Sequence, residues 1–472
     1  MLESYDLVVV GAGPAGIFCA YEAHKKNPNL KILLVDKGAN IYSRKCPIME
    51  GKLKKCPDNK KGYAGCYPGC AITNGFGGAG AYSDGKYNIT SEFGGWMTDY
   101  LPDSTVLDLI NYADSINLKY GATKDVTNPL TKKVHEIEKR GLAVGLKLLR
   151  ANVRHLGTEN NINILKRMYE DLAKDIDMKY KTLVTDFKIE NNEVSGVYMG
   201  ESFIKTKKVF LAVGRDGSLW LEDICKEFGI ELTNNQVDVG VRVETSNNVM
   251  EEINQNLYEG KFIFRTSLGT TVRTFCSNPS GHVVVENHSG IMLANGHSYA
   301  DPKLGSENTN FALLVSHKFS EPFNEPNEYA REVSSLANKL SCGSIIVQTY
   351  GDIKKGRRTT SKRLKESFIE PTLAEAVPGD LGLVLPYNTM KSIIEMVEAL
   401  DHVTPGIATD STLFYGVESK FYSARPKTNS KFETKVKGLY VGGDGAGITR
   451  GLAQASANGV WVARDIVKQL EK

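Results

Sequence analysis

Residues 6–10 form a short apolar, β-branched run that stops at a glycine. Residues 17–25 carry apolar positions at helical spacing, and residues 31–36 are a second apolar run that closes on an acid. Strand, helix and strand within about 30 residues make a βαβ unit. The pattern then lapses. Residues 40–88 are rich in Gly, Cys, Lys and Asn and read as a long irregular excursion, a length that inside a folded domain goes with function or disorder. Residues 104–176 read as mostly helical, ending in a helix over 164–176. Strands follow at 181–189 and 193–199 around an Asn191-Asn192 turn, and a buried strand at 207–213 ends on Gly214. From 238 to 298 the periodicity changes to two, at 239–244, 262–266, 271–275 and 282–286, which predicts an antiparallel sheet. Helical stretches are expected in 308–345 and 373–400, a last buried strand at 438–441 and a last helix over 451–470. The first and last parts are therefore α/β and the middle is β-rich, so one domain is assembled from separate segments around an insertion.

The chain has 472 residues, too many for one ordinary core, so two or three domains are expected. Its net charge of +3 gives no overall footprint for nucleic acid, and an RNA or DNA role would need a local patch. No run reaches the roughly 18 apolar residues of a membrane span. The first residues are acidic where a secretion signal carries lysine or arginine, so the expected location is the cytoplasm. In that compartment eight cysteines are expected as thiols, metal ligands or redox groups rather than disulfides.

The most specific motif is Gly11-Ala12-Gly13-Pro14-Ala15-Gly16, directly after the first strand and opening the first helix. Gly11 permits the tight turn, Gly13 lets backbone approach a pyrophosphate, and Gly16 lets helix and strand pack closely. The helix start offers unpaired N–H groups to phosphate oxygens. Asp36 closes the second strand 20 residues after Gly16, with Lys37 next to it, where an acid accepts hydrogen bonds from adenosine ribose hydroxyls and disfavours a 2′-phosphate. Together these point to a dinucleotide.

A second glycine turn, Gly442-Gly443-Asp444-Gly445-Ala446-Gly447, follows the last strand and precedes Thr449-Arg450-Gly451-Leu452 and the last helix. Here the chain resembles the two-dinucleotide-binding flavoprotein superfamily. That resemblance implies FAD, with Asp444 on the ribityl hydroxyls and the helix start at Gly451 and Leu452 towards the flavin N1/O2 edge. Leu211-Ala212-Val213-Gly214-Arg215 resembles the family's middle strand-end motif, and Val184 matches the position whose backbone meets adenine. Gly77-Gly78-Ala79-Gly80-Ala81-Tyr82-Ser83-Asp84-Gly85-Lys86, Arg154-His155-Leu156-Gly157-Thr158, Tyr415-Gly416-Val417-Glu418 and Lys420-Phe421-Tyr422-Ser423 narrow the resemblance to a bacterial family of NAD(FAD)-utilizing FAD-dependent dehydrogenases. The stretch from Gly77 to Lys86 would then wrap the pyrophosphate and flavin.

On this reading the fold is α/β, a discontinuous Rossmann-like FAD-binding domain with an inserted, mostly antiparallel β substrate domain. The expected segments are 1–100, 161–236 and 431–472 for the FAD domain, 101–160 for a helical insertion and 237–430 for the substrate domain, with the reactive site between the two domains. The function expected is a FAD-dependent oxidoreductase that moves a hydride between flavin N5 and a small organic substrate. Residues 238–430 contain no second Gly-x-Gly-x-x-Gly, so NAD(P)H is expected only as a transient electron donor.

The flavin does the hydride chemistry, and the protein supplies orientation, charge and a proton. Lys420 and Tyr422 alternate and would share one face of a strand, Lys420 for a carboxylate and Tyr422 as a proton donor. The competing reading is a half-buried strand with a solvated lysine. Arg273 and Cys276 lie on a strand running into a turn, either a thiol tuned by arginine or packing residues. Arg450 is the candidate anion binder or a loop salt bridge, and His282 and His288 read as strand-surface residues. Cys46, Cys56, Cys66 and Cys70 lack zinc-type or ferredoxin-type spacing, which leaves a metal or cluster, a redox pair or packing thiols open. Lys354, Lys355, Arg357, Arg358, Lys362, Arg363 and Lys365 form a basic run without an aromatic residue. It reads as a solvated face, with an RNA or phosphate contact as the alternative. An oxygen-using oxidase or hydroxylase, an RNA-modifying flavoprotein and a flavin/iron–sulfur electron carrier are the rival functions.

Overall fold

A strand such as Leu7–Val10, apolar at every position, needs cover on both faces and partners on both edges. In the computed structural model, which describes residues 3–47, 50–53, 57, 66–83, 85–257, 260–288, 290–299 and 302–471, it has them. It is the centre of a five-stranded parallel sheet ordered Leu439–Val441, Val209–Leu211, Leu7–Val10, Ile32–Val35, Asp177–Lys179. Helices Pro14–Lys26 and Leu452–Leu470 pack on it and on each other. Gly459 makes that contact possible, because a Cβ there would lie 2.0 Å from the Ala15 carbonyl oxygen. The sheet joins strands from the two ends of the chain, so the Rossmann-like body is discontinuous.

The chain divides into two compact units, Met1–Thr127 with Ala151–Thr233 and Ser423–Lys472, and Asn128–Arg150 with Asn234–Tyr422. The stretch 101–160, expected as one helical insertion, is split between them. Helix Asp103–Lys119 packs on Leu452–Leu470 in the first unit, whereas strand Leu146–Leu149 pairs with Lys261–Arg265 in the second. A second unforeseen strand, Asn152–His155, pairs with Lys86–Ile89.

The second unit is built on an eight-stranded sheet ordered Val377–Pro378, Ile346–Thr349, Leu413–Lys420, Val237–Ser246, Asn308–His317, Thr271–Asn278, Lys261–Arg265, Leu146–Leu149. All its pairings are antiparallel except that of the first two strands. Along its central strand Val237, Val239, Val241 and Val243 enter a core with Phe311, Leu313, Val315 and helices Asn247–Asn256 and Tyr387–Asp401. Asp238, Arg242 and Glu244 alternate onto the other face and are also fully buried. Hairpin His282–His288/Ile291–His297 packs on that sheet.

Two further expectations are corrected. Asn308–His317 is a central strand, not part of a helical stretch. It is buried between two partners, so its apolar residues need not alternate. The strand expected from 181 begins at Asp186, because Lys181 turns the chain with φ +52°. Asn191 and Asn192 both have positive φ, as a tight hairpin turn requires. Among the described residues no helix is long and apolar enough to cross a membrane.

Candidate functional site

The glycines of the first turn divide by what surrounds them. A Cβ on Gly11 would meet the Ala212 carbonyl oxygen at 2.2 Å and one on Gly16 the Gly11 oxygen at 1.8 Å, so these two serve packing. A Cβ on Gly13 would meet nothing nearer than Gly78 Cα at 3.9 Å. The backbone at Gly13 therefore borders free space at the start of helix Pro14–Lys26, where no side chain caps the helix and Pro14 occupies its first turn. Ala15 and Gly16 complete that first turn, an anion-binding geometry.

Asp36 is buried, and its carboxylate accepts three backbone N–H bonds. They come from Ala12 at 2.7 Å, Gly38 at 2.7 Å and Gly75 at 2.8 Å. It ties the first turn to the end of the irregular excursion and keeps little acceptor capacity for a ribose. Lys37 does not reach out either. It pairs with Asp216 at 2.6 Å, and Asn74 donates to the same carboxylate. Burial works against the charge of Asp216, but Lys37 and Asn74 outweigh it and hold the carboxyl below its ordinary range.

The glycine-rich stretch folds as a short 3-10 turn, Gly78–Tyr82, with Ala79 exposed. Gly77 donates to the Ala12 carbonyl at 2.7 Å, which seats the stretch on the first turn. Arg44 anchors it from behind. Its buried guanidinium donates to the carbonyls of Ala71, Ile72 and Phe76, and Tyr82 donates back to the Arg44 carbonyl. Ser83 caps locally onto the Gly80 carbonyl and the Gly85 amide, and Lys86 starts a strand. Asp84 lies outside the described residues. Val184 is buried just after Lys181 and Thr182, whose amides bond to the backbone of Gly38 and Asp36.

The second glycine turn sits two strands away on the same sheet. Gly443 has φ +70° and donates to Asn458, and Asp444 starts a 3-10 turn. Thr449 donates to Asp444 Oδ1 at 2.7 Å, and the Gly451 amide lies 3.4 Å from both carboxylate oxygens. Burial pushes the Asp444 carboxyl above the usual carboxylate range, opposed by the Arg215 guanidinium, the Thr449 hydroxyl and Arg450. Gly214 packs against this turn, since a Cβ on Gly445 would sit 2.3 Å from its oxygen. Ala212 hydrogen-bonds to Val10. Helix Leu452–Leu470 starts at Gly451, φ +111°, with no side-chain cap and no atom within 4 Å of a Cβ built there. The Arg450 amide bonds to Gly94.

In the second unit the sheet face that carries charge brings together residues the sequence left apart. Arg242, fully buried, donates to Asn310 at 2.9 Å and the Cys276 carbonyl at 2.8 Å, and lies 3.4 Å from Glu418. Glu418 also pairs with Lys420 at 3.0 Å. Lys420 is the partly exposed member of this array, while strand Leu413–Lys420 ends there, so Tyr422 lies beyond it. The expected shared strand face for Lys420 and Tyr422 is therefore absent. The Tyr422 hydroxyl donates to buried Asp238, which also accepts from Ser316 at 2.6 Å. Tyr422→Phe is expected to destabilise the protein by about 2 kcal/mol through the bereaved carboxylate while leaving the cofactor bound. Thermal unfolding of FAD-loaded protein checks this, and an unchanged midpoint would count against it.

Cys276 has an exposed thiol and φ +41°, its carbonyl held by Arg242 and Asn278. Arg273 is partly buried, with Nε making no hydrogen bond among the described residues. The cavity beside Cys276, lined by Met250, Phe262, Phe311 and Leu400, has room for little more than a water molecule. His288 stacks on Phe421 and His282 bonds to the Leu304 carbonyl. Arg242, Glu418, Arg44 and Thr449 were not singled out from sequence. For Arg242 the signal was there, in the strict alternation of valines with Asp238, Arg242 and Glu244.

Two acids tie down part of the basic run. Lys354 and Lys355 both pair with Asp410 at 3.0 Å, and Arg357 and Arg363 pair with buried Asp352 at 2.6 and 3.0 Å. Arg358, Lys362 and Lys365 are not paired with either acid, and the run keeps an excess of positive charge. Cys46 and Cys70 are free thiols, Cys66 is partly buried, Cys56 lies outside the described residues, and among the described residues no three His, Cys, Asp or Glu side chains form a metal-binding group.

Two family models match the chain. Residues 9–45 match the NAD(P)-binding Rossmann-like domain, and residues 236–421 match the FAD-dependent protein, C-terminal domain-like model. An uncharacterized protein of Clostridium beijerinckii is 27% identical over 497 aligned positions, covering 98% of this chain and 81% of that protein. Among solved structures, L-proline dehydrogenase from P. horikoshii is similar at 12% identity and a TM-score of 0.39, covering 99% of this chain and 95% of that one. Glycine oxidase from Bacillus cereus is similar at 12% identity and a TM-score of 0.34, covering 99% and 96%.

Proposed function

We propose that this chain, which matches a Rossmann-like nucleotide-binding domain and a FAD-dependent C-terminal domain, is a FAD-dependent dehydrogenase or reductase that moves a hydride between flavin N5 and a small organic substrate bearing an anionic group. One observation supports it above the others. Two glycine turns end parallel strands of one sheet and each is followed by a helix without a side-chain cap; the first is tied to buried Asp36 at the end of the neighbouring strand, and the second carries half-buried Asp444. The residues fit FAD on their own chemistry. Gly13 and Gly451 leave open space at two helix starts, where a pyrophosphate and the electron-rich flavin edge each gain from the positive helix end.

In this reading Gly13, Pro14, Ala15 and the Gly77–Gly78 backbone hold the pyrophosphate. Asp36 acts mainly by fixing that loop, and Val184 borders the adenine. Asp444 accepts from the ribityl hydroxyls, while Gly451 and Leu452 present the second helix start. FAD, when bound, supplies the hydride chemistry. The protein's part is to bind, to orient and to hold charge. Lys420, Arg273 and Arg450 are the candidate anion-holding cations, with Lys420 kept in place by Glu418. Cys276 is the candidate thiol, and Tyr422, committed to Asp238, serves the sheet. The nucleotide-type match covers the first glycine turn, so NAD(P)H enters this proposal only as a transient donor.

The test is anaerobic titration of the purified protein with NADH and then NADPH, following flavin absorbance. The protein is expected to carry stoichiometric FAD, and bleaching by either nucleotide makes it a reductase. With no bleaching, it is expected to be reduced by a carboxylate-bearing dehydrogenase substrate. Protein purified without flavin that binds no added FAD would overturn the proposal.

A further inference from the structure

We infer that Thr449, locked by a backbone bridge to Gly95, is the positioning residue for Asp444, occupying Oδ1 so that the carboxylate meets ligand hydroxyls in one orientation. The inference rests on the reading of Asp444 as the ribityl-binding acid. Thr449 is almost fully buried and its hydroxyl donates to Asp444 Oδ1 at 2.7 Å. Its backbone has no freedom to turn away. Gly95 pairs with Thr449 as an antiparallel bridge, the Trp96 amide donates to the Ile448 carbonyl at 2.8 Å, and the Arg450 amide donates to the Gly94 carbonyl at 2.7 Å. A Cβ on Gly95 would stand 2.6 Å from Thr449 Cα, so glycine is required for this approach. The strap is itself held from outside. Arg425 pairs with Asp99 at 2.7 Å and lies over the Trp96 ring. A threonine that merely filled space would not need its hydroxyl aimed at the acid.

The hydroxyl also matters for charge. A buried carboxylate needs donors to stay ionised, and Thr449 is one of the groups that counter the burial of Asp444. The charges acting with it are Arg215, from the turn after strand Val209–Leu211, and Arg450 in its own loop. Asp216, beside Arg215, is engaged by Lys37. Helix Ser218–Glu227, packed on the Asp444 turn, begins with the uncharged residues Ser218, Leu219, Trp220 and Leu221. Without the Thr449 donor the carboxyl protonates at higher pH, and the protonated acid accepts ligand hydroxyls less well.

The experiment compares FAD and ADP binding to the apoprotein of wild type, Thr449→Val, Thr449→Ser and Asp444→Asn across pH. ADP lacks the ribityl chain and reports the remainder of the site. Thr449→Val is expected to weaken FAD about tenfold, to leave ADP affinity unchanged, and to release FAD at a higher pH than wild type, with Thr449→Ser restoring both. Equal loss of FAD and ADP affinity, or wild-type FAD affinity and pH profile in Thr449→Val while Asp444→Asn is weakened, would overturn the inference. Unaltered FAD binding in Asp444→Asn would instead overturn the reading beneath it. Should Thr449→Val not fold, the Thr449→Ala and Thr449→Ser pair gives the same comparison.

Discussion

Gly13→Glu is expected to give a folded protein that is purified without flavin and does not take up added FAD. The expectation of folding comes from the space around Gly13. A Cβ there stands 3.9 Å from its nearest neighbour, unlike Gly11 or Gly16, where any side chain collides with backbone. The expectation of lost binding comes from charge. A carboxylate at an uncapped helix start would occupy the ground proposed for a pyrophosphate, and two like charges about 4 Å apart repel by about 4 kcal/mol at an effective dielectric of about 20. That corresponds to roughly a thousandfold in affinity before any steric conflict. The absorbance spectrum of the purified variant, with its circular dichroism, is the check. A yellow, FAD-loaded Gly13→Glu would show that the first glycine turn does not hold the cofactor.

Asp36→Ala carries the next largest effect, and it acts on folding as well as on binding. The carboxylate terminates three backbone N–H groups from separate segments, Ala12, Gly38 and Gly75. Each buried donor left without an acceptor costs about 1–3 kcal/mol, so a loss of about 3 kcal/mol or more is expected even if water reaches one of them. The first turn and the Gly77–Tyr82 region would loosen together, because Gly77 is bonded to Ala12. Urea unfolding should show the drop, and FAD content should fall with it. Asp36→Asn, which keeps one acceptor oxygen, should fall between. Full stability in Asp36→Ala with FAD affinity lost would return this residue to the ribose-binding role expected from sequence.

The contrast between those two residues shows what the sequence could and could not convey. Gly11, Gly13 and Gly16 are legible because their constraint is local, a turn and a helix start within a few residues. The same holds for the second glycine turn and for Asn191-Asn192. Asp36 was found, but its partners were not, since Gly75 comes from the far side of an irregular excursion. Asn308–His317 was missed for a related reason. A central strand takes its identity from neighbours distant in sequence, and its own residues show no alternation. Leu146–Leu149 closes the edge of a sheet whose other strands all begin at Val237 or later. The basic run was counted as seven cations, whereas Asp352 and Asp410, each of which pairs with two of them, become visible only in the fold.

The buried charges of the large sheet have a consequence for how the chain finds its pairing. On strand Val237–Ser246, Asp238, Arg242 and Glu244 alternate with four valines, and each side of the ribbon is sealed. Shifting this strand by a single residue against Asn308–His317 or Leu413–Lys420 would turn all three charges into the valine core and expose none of them to water. Misaligned valine-rich strands ordinarily differ little in energy from the correct one. Here every odd slip strands a guanidinium and two carboxylates away from Asn310, Glu418, Ser316 and Tyr415, an error of several kcal/mol for each ion. The polar ladder thus works as a ratchet tooth, rejecting every odd slip of a valine-rich strand.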